Sequence, residues 1–302
     1  MERLTAALFR LLVSAFGRLS LNGQRRLARL IARVMHWSGS DTAGVTAINI
    51  DACFADRSPQ ERRALVADSL AHSAMLLTEL GTLSKWEPAA WRELAVSVEG
   101  AQTLEDALAG GSGVLVLVPH FGNWEFLALV LGEYGVTALY DPPRQRVLAE
   151  VIHGARSRAG ATMLPIDAQG LRRFYHALAN GALGALLPDQ VPERRAGVYA
   201  DFFGRPALTM TFAHRLLRRT RARVLMGSAT RAPGGFAVRF SDPGPALADP
   251  DPQVATRALN AAIEQLVRTD PAQYQWEYKR FKRPPPGTPD LYPRKRRQSA
   301  RG

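Results

Sequence analysis

The run Gly113-Val114-Leu115-Val116-Leu117-Val118 has no polar side chain on either face. A strand with one wet face alternates apolar and polar residues, so an unbroken run must be covered on both sides, as strands inside a parallel sheet are. Further strands are expected at 136–140, 182–187, 223–230 and 236–240, with helices near 59–80, 124–134, 144–159, 169–180, 209–220 and 252–269. Strands alternating with helices predict an α/β fold with a mainly parallel sheet flanked by helices. The 302 residues, 46% of them hydrophobic, suffice for a substantial core. No internal repeat or Gly/Ser linker divides them, which predicts one large domain with appendages.

Ligands of such sheets collect at the carboxyl ends of the strands. Two polar residues fall there: His120 follows the 113–118 run, and Asp189 follows Gly184-Ala185-Leu186-Leu187-Pro188. A possible base and a carboxylate therefore share one sheet edge. The segment Pro119-His120-Phe121-Gly122-Asn123-Trp124-Glu125 carries a second carboxylate. On one continuous helix His120 and Glu125 would lie about 140° apart. A turn at Gly122, with Asn123 as N-cap of the following helix, lets the chain fold back and brings Glu125 toward the imidazole. A carboxylate on one ring nitrogen fixes the tautomer and leaves the other nitrogen to take a proton from a hydroxyl. The helix N-terminus beside it offers N–H groups to an oxyanion. The expectation is general-base activation of an alcohol by His120, oriented by Glu125. A plain cap at Asn123 and a first-turn acid favoured by the helix dipole would account for the same residues without chemistry. No phosphate-binding Gly-x-x-x-x-Gly-Lys-Ser/Thr, nucleophile elbow, His-Glu-x-x-His or dinucleotide-binding glycine pattern is present. His36, His72, His153, His176 and His214 lack ligand spacing, and no metal or cofactor is expected.

The formal net charge of +12 is unevenly placed. Residues 1–37 carry +6 and residues 280–302 carry +7, which leaves the body near −1. Residues 4–21 are apolar, but Arg10 and Arg18 lie among them, and an arginine at the centre of a membrane span costs about 2.5–3.5 kcal/mol. On a helical wheel Arg3, Arg10, Ser14 and Arg18 oppose Leu4, Leu8, Leu11, Leu12, Ala15 and Leu19. A second segment sets Arg26, Arg29 and Arg33 against Leu27, Leu30, Ile31 and Val34. This predicts an in-plane basic hairpin on anionic lipid; two ordinary amphipathic helices packed on the body are the alternative. Residues 284–302, rich in proline and carrying a basic cluster at 294–297, predict a disordered tail able to grip lipid headgroups or nucleic acid. The single Cys53 excludes an intrachain disulfide and fits a packing role in a reducing compartment. The N-terminus has neither the uninterrupted apolar run nor the small-residue cleavage site of a secretory signal.

Four blocks together resemble the lipid A late acyltransferases, lauroyl and myristoyl transferases within the larger group that carries a His-x-x-x-x-Asp/Glu motif. They are 118–125; Leu187-Pro188-Asp189-Gln190 through Arg195 to Phe202-Phe203-Gly204; Arg156-Ser157-Arg158; and Gln273-Tyr274-Gln275-Trp276 followed by Arg280-Phe281-Lys282. The resemblance runs from about Arg3 to Pro284. It implies an acyl carrier protein thioester as donor, a hydroxyl of a lipid A precursor as acceptor, and a place on the cytoplasmic face of a Gram-negative inner membrane. Anionic membrane lipids are an implied partner, and nucleic acid is not. By the same resemblance His120 is the base and Glu125 its orienting acid. Asn123, Arg158, Asp189 and Arg195, with Arg144 a weaker match, shape the site or hold anionic groups. The implied organisation is a basic amphipathic membrane-associating segment at 1–37, an acyltransferase domain at 38–283 and a basic disordered tail at 284–302. One departure is Phe212, after Thr209-Met210-Thr211, where many relatives carry glycine; its ring is large enough to shorten a chain pocket. Another glycolipid or an aminolipid as acceptor, and a non-catalytic polybasic protein that binds membrane or nucleic acid, stay open as alternatives.

Overall fold

The computed structural model describes residues 11–83, 91–141 and 146–292. Among these, the centre is a seven-stranded sheet in the order β1-β9-β8-β2-β5-β3-β4. Its strands are β1 (Ala95–Glu99), β2 (Val114–Leu117), β3 (Thr137–Tyr140), β4 (Thr162–Pro165), β5 (Leu183–Leu186), β8 (Arg223–Ala232) and β9 (Gly235–Ser241). The strands from β8 to β4 run parallel; β9 is antiparallel to β8 and carries β1 parallel at the edge. The chain therefore has the expected α/β fold with a mainly parallel sheet. Its helices are α1 (Leu21–Trp37), α2 (Asp41–Cys53), α3 (Pro59–Leu83), α4 (Trp91–Leu94), α5 (Ala101–Ala109), α6 (Trp124–Gly132), α7 (Arg146–Arg158), α8 (Ala168–Ala179), α9 (Phe212–Thr220) and α10 (Pro252–Thr269).

Every residue of β2 is buried, and successive side chains enter opposite cores. Leu115 and Leu117 pack with Phe174 and Leu178 of α8 and with Leu259 of α10. Val114 and Val116 pack with Phe126 and Leu127 of α6 and with Phe236 of β9. Period-two alternation thus persists although both faces are apolar, because helices cover each. Burying one such side chain contributes about 1.5–3 kcal/mol, which is why the run admits no polar residue.

Three expectations need correction. The helix expected from 209 begins at Phe212, since Thr209 and Met210 close a hairpin of β6 (Gly197–Phe202) and β7 (Arg205–Met210). Phe203 and Gly204 make its turn, both with positive φ. Asn260 of α10 holds the hairpin by donating to the carbonyls of Ala200 and Asp201. The 284–302 segment is not a free tail over its described part: Tyr292 is buried, its hydroxyl donates to Asn49 Oδ1 at 2.6 Å, and Pro284 O accepts from the Tyr199 hydroxyl. The basic cluster at 294–297 lies outside the described residues.

The third correction concerns the N-terminal segment, of which Arg3, Leu4, Leu8 and Arg10 also lie outside the described residues. Residues 11–16 are helical. It is the alternative of an amphipathic helix packed on the body by its apolar face that does not hold, because α1 does not bury Leu27-Leu30-Ile31-Val34 there. It turns Gln24, Arg25, Ala28 and Ala32 inward against α3, while Leu30, Val34 and Trp37 are 55, 63 and 89% exposed. Two alanines permit close approach of the helices, and Arg25 is drawn inward by Glu79 of α3 at 3.0 Å. Among the described residues no helix is long and apolar enough to cross a membrane.

His72 on α3 sits near Arg231, Arg25 and Arg29; burial first, and then these charges, push its pKa down to about 3. The folded protein keeps this ring neutral where the unfolded chain, with a histidine pKa of about 6.5, protonates it. Stability is therefore lost as pH falls from about 6.5 toward 3, by up to about 1.4 kcal/mol per unit. In urea unfolding at pH 7, 6 and 5, wild type should lose stability more steeply than His72→Gln.

Candidate active site

Strands β2 and β5 are adjacent, parallel and in register from Val114–Leu183 to Leu117–Leu186, so their exits lie side by side. The Val118 N–H still bonds Leu186 O at 2.8 Å, after which each chain leaves the sheet at a proline, Pro119 or Pro188. His120 and Asp189 then meet twice. The His120 backbone N–H donates to Oδ2 at 2.9 Å, and Nδ1 lies 2.8 Å from Oδ1. Asp189 is 2% exposed. Burial opposes its ionisation, but the His120 charge, the two hydrogen bonds from His120 and the nearby Arg280 outweigh it, and the carboxyl sits below the usual carboxylate range. Against an ionised acceptor, a neutral His120 keeps its proton on Nδ1 and presents Nε2 as the base. The Gln190 side-chain amide donates to Nε2 at 3.1 Å, and Trp124 meets the imidazole edge-on with centroids 5.0 Å apart.

The carboxylate on His120 is therefore Asp189, and not Glu125 as the local spacing predicts. Glu125 is the second residue of α6 and is directed to α7, where Arg156 Nε and Nη2 donate to its two oxygens at 2.9 and 2.8 Å. Burial would lower the Arg156 pKa; the Glu125 charge and hydrogen bonds outweigh it and raise it. Both oxygens of Glu125 are thus engaged by a fork-shaped donor.

The turn between His120 and α6 is pinned from three sides. Gly122 has φ +65°, and a Cβ there would stand 2.2 Å from Ala229 O of β8. Its N–H donates to Gln273 O at 2.9 Å, its carbonyl accepts from Arg231 Nη1 at 3.0 Å, and the next N–H, of Asn123, donates to Ala229 O at 2.7 Å. Asn123 caps α6 by accepting from Phe126 N–H, and its amide donates to Glu79 Oε2 at 2.8 Å. Glu79, fully buried, also takes Arg25 Nε at 3.0 Å and Arg231 Nε at 2.9 Å. One carboxylate therefore ties α1, β8 and the cap of α6 to α3.

His120, Trp124, Glu125, Arg156 and Gln190 form the polar end of a cavity of about 490 Å³. Leu139, Ile166, Leu171, Leu186, Met210 and Phe212 supply apolar wall. Such a volume is in the range of ligand sites. A narrower void of about 30 Å³ shares Trp124, Leu139, Arg156 and Leu187 with it and runs between α6 and the sheet, past Ala128, Ala138 and Ala161.

The other expected site residues fare unequally. Asn123 is fully buried with both side-chain polar atoms bonded inside the protein, so it supports the turn and offers no atom to a substrate. Arg158 and Arg195 are exposed and do not line the cavity; Arg195 pairs with the exposed Glu193 at 3.1 Å. Arg144 lies outside the described residues. Arg156, Gln190 and Arg215 line the cavity and were not expected there. Arg156 was within reach of sequence reasoning, because two helical residues apart from Arg158 means the opposite side of α7. Burial pushes the Cys53 thiol up to about 12, which leaves it a packing residue. Among the described residues no group of three or more His, Cys, Asp or Glu side chains could hold a metal.

The arrangement can take a proton from a hydroxyl at the end of an apolar cavity, with no thiol nucleophile involved. Comparison with known proteins gives the class of that enzyme, an acyltransferase. The chain belongs to the bacterial lipid A biosynthesis acyltransferase family, whose sequence profile matches residues 6–283. It is similar to the lipid A biosynthesis lauroyltransferase of Escherichia coli strain K12, with 27% identity over 284 residues, 91% of this chain and 86% of that protein. The palmitoleoyltransferase of the same strain is 29% identical over 247 residues, 81% of this chain and 80% of its own. The myristoyltransferase is 26% identical over 278 residues, 89% and 83% of the two chains.

In Gly122→Ala the turn cannot keep its place against Ala229 O. Transfer should fall more than tenfold, and urea unfolding should show a loss of about 1 kcal/mol or more.

Proposed function

We propose that this protein moves a fatty acyl group from an acyl carrier protein thioester to a hydroxyl of a lipid A precursor, with His120 as general base and Asp189 as its orienting acid. The 2.8 Å contact between Nδ1 and Asp189, with Nε2 at the polar end of an apolar cavity, carries this reading. The names of the curated relatives support the acceptor. In the proposed reaction the acceptor hydroxyl displaces the Gln190 amide from Nε2 and gives it a proton, and the alkoxide attacks the thioester carbonyl. The oxyanion that forms has the N–H groups of Trp124 and Glu125 to receive it, since the first two residues of a helix have no intrahelical acceptor. Collapse breaks the carbon–sulfur bond, and the thiolate leaves with the proton that His120 took. Glu125 holds Arg156 as one wall of the cavity, and the acyl chain lies along Leu139, Leu186, Met210 and Phe212.

Mass spectrometry of the acceptor, incubated with acyl carrier protein charged with a fatty acid, tests this directly. Wild type should add the mass of one acyl chain. His120→Ala should lose about 10³-fold or more in kcat/KM while remaining folded, and Asp189→Asn a comparable factor through the wrong tautomer. Glu125→Gln should cost less than either. A wild-type rate in His120→Ala would overturn the mechanism.

The proposed site of action is the cytoplasmic face of the inner membrane, with α1 lying on anionic lipid. Leu30, Val34 and Trp37 are spaced by four and three residues and stand exposed beside Arg26, Arg29 and Arg33, the pattern of an interfacial helix. Leu30→Ser/Val34→Ser/Trp37→Ser should co-sediment about tenfold less with phosphatidylglycerol-containing vesicles at an unchanged unfolding midpoint.

A further inference from the structure

The cavity beside His120 contains two arginines among the described residues, and they are in opposite states. Arg156 spends two of its nitrogens on both oxygens of Glu125. Arg215 is exposed on α9, its side chain lines the same cavity, and that side chain makes no ion pair or hydrogen bond with the protein among the described residues. The arginines singled out by sequence for holding anionic groups, Arg158 and Arg195, do not line this cavity. Arg215 is therefore the cavity's one uncommitted guanidinium among the described residues.

Its surroundings sharpen the point. Helix α9 buries Ala213, Leu216 and Leu217 and turns Arg215, Arg218 and Arg219 outward. Phe212, one turn before Arg215, is part of the apolar wall. No acid occurs between Asp201 and Asp242, so α9 itself carries only positive charge; of the acids that line the cavity, Glu125 is paired with Arg156 and Asp141 follows the end of β3. A molecule lying along Leu171, Met210 and Phe212 would bring an anionic group to Arg215, with Arg218 and Arg219 extending the positive field outward. A guanidinium presents a fork matched to phosphate oxygens.

We infer that Arg215 is a phosphate-binding residue at the mouth of the catalytic cavity, and that it recognises an amphiphile whose chain enters the cavity and whose phosphate stays at the rim. The inference rests on the acyl-transfer reading for which molecule supplies the phosphate: the glycolipid acceptor or the phosphopantetheine arm of the donor. It does not rest on that reading for the binding itself.

Two measurements test it. In the first, dodecyl phosphate and the uncharged dodecyl glucoside are titrated into wild type, Arg215→Ala and Arg215→Lys, with intrinsic tryptophan fluorescence as readout. Arg215→Ala should weaken dodecyl phosphate at least tenfold, Arg215→Lys less, and dodecyl glucoside should bind all three alike. Equal binding of dodecyl phosphate to wild type and Arg215→Ala overturns the inference, whether or not acyl transfer is seen. In the second, KM and kcat are measured for acceptors with and without phosphate, and for acyl-phosphopantetheine against acyl-pantetheine. A KM raised about tenfold in Arg215→Ala for the phosphorylated acceptor alone assigns the phosphate to the acceptor, and for the phosphorylated donor alone, to the donor. A loss of the same size with and without phosphate on both substrates overturns it.

Discussion

The buried carboxylate of Glu79 on α3 ties α1, β8 and the start of α6 together. Two guanidiniums, from Arg25 on α1 and Arg231 on β8, and the amide of Asn123 converge on its two oxygens. Removing one partner from a buried ion cluster costs about 3–5 kcal/mol, because the remaining charges stay desolvated. The cluster carries two positive charges against one negative, and burial lowers the pKa of Arg231. Burial first, and then the charges of Arg231 and Arg25, keep His72, close by, neutral. Arg231 then reaches the Gly122 carbonyl, so the electrostatics of the N-terminal helices and the geometry of the turn after His120 are coupled through one side chain.

The turn it secures is a compromise between two sets of constraints. Its backbone must approach β8 closely enough for Asn123 N–H to reach Ala229 O, which only a glycine at 122 permits. It must also start α6 so that Glu125 faces α7. With both satisfied, His120 is left at the end of β2 with its ring turned toward β5. The residues around 273–276 complete the enclosure: Gln273 accepts from Gly122 N–H, and Gln275 N–H donates to His120 O. Tyr274, buried next to Asp189, has its hydroxyl pKa raised well above the ordinary value, first by burial and then by that carboxylate, so it stays neutral beside the anion.

The charged groups around the cavity are therefore distributed by how far each is committed. The two carboxylates at the polar end are each committed, Asp189 to His120 and Glu125 to Arg156. Neither is free to repel an approaching anionic substrate at full strength. The uncommitted cation, Arg215, lines the same cavity and is exposed, so water screens it.

What the sequence alone determined is whatever depends on near neighbours along the chain. The apolar run of β2, the glycine turn, the Asn123 cap and the start of α6 follow from side-chain burial, left-handed backbone and orphan N–H groups, all local in origin. The placement of His120 and Asp189 at one edge of a parallel sheet was also legible, because each follows an apolar strand. Which carboxylate reaches the imidazole was not. Glu125 is five residues from His120 and Asp189 sixty-nine, yet the register of β2 against β5 makes the distant one the neighbour. The face that α1 buries was hidden for a similar reason: Arg25 is drawn inward by Glu79, and that attraction exists only once α3 is packed beside it. Pairing across strands and helices is set by tertiary register, and hydropathy along one segment carries no record of it.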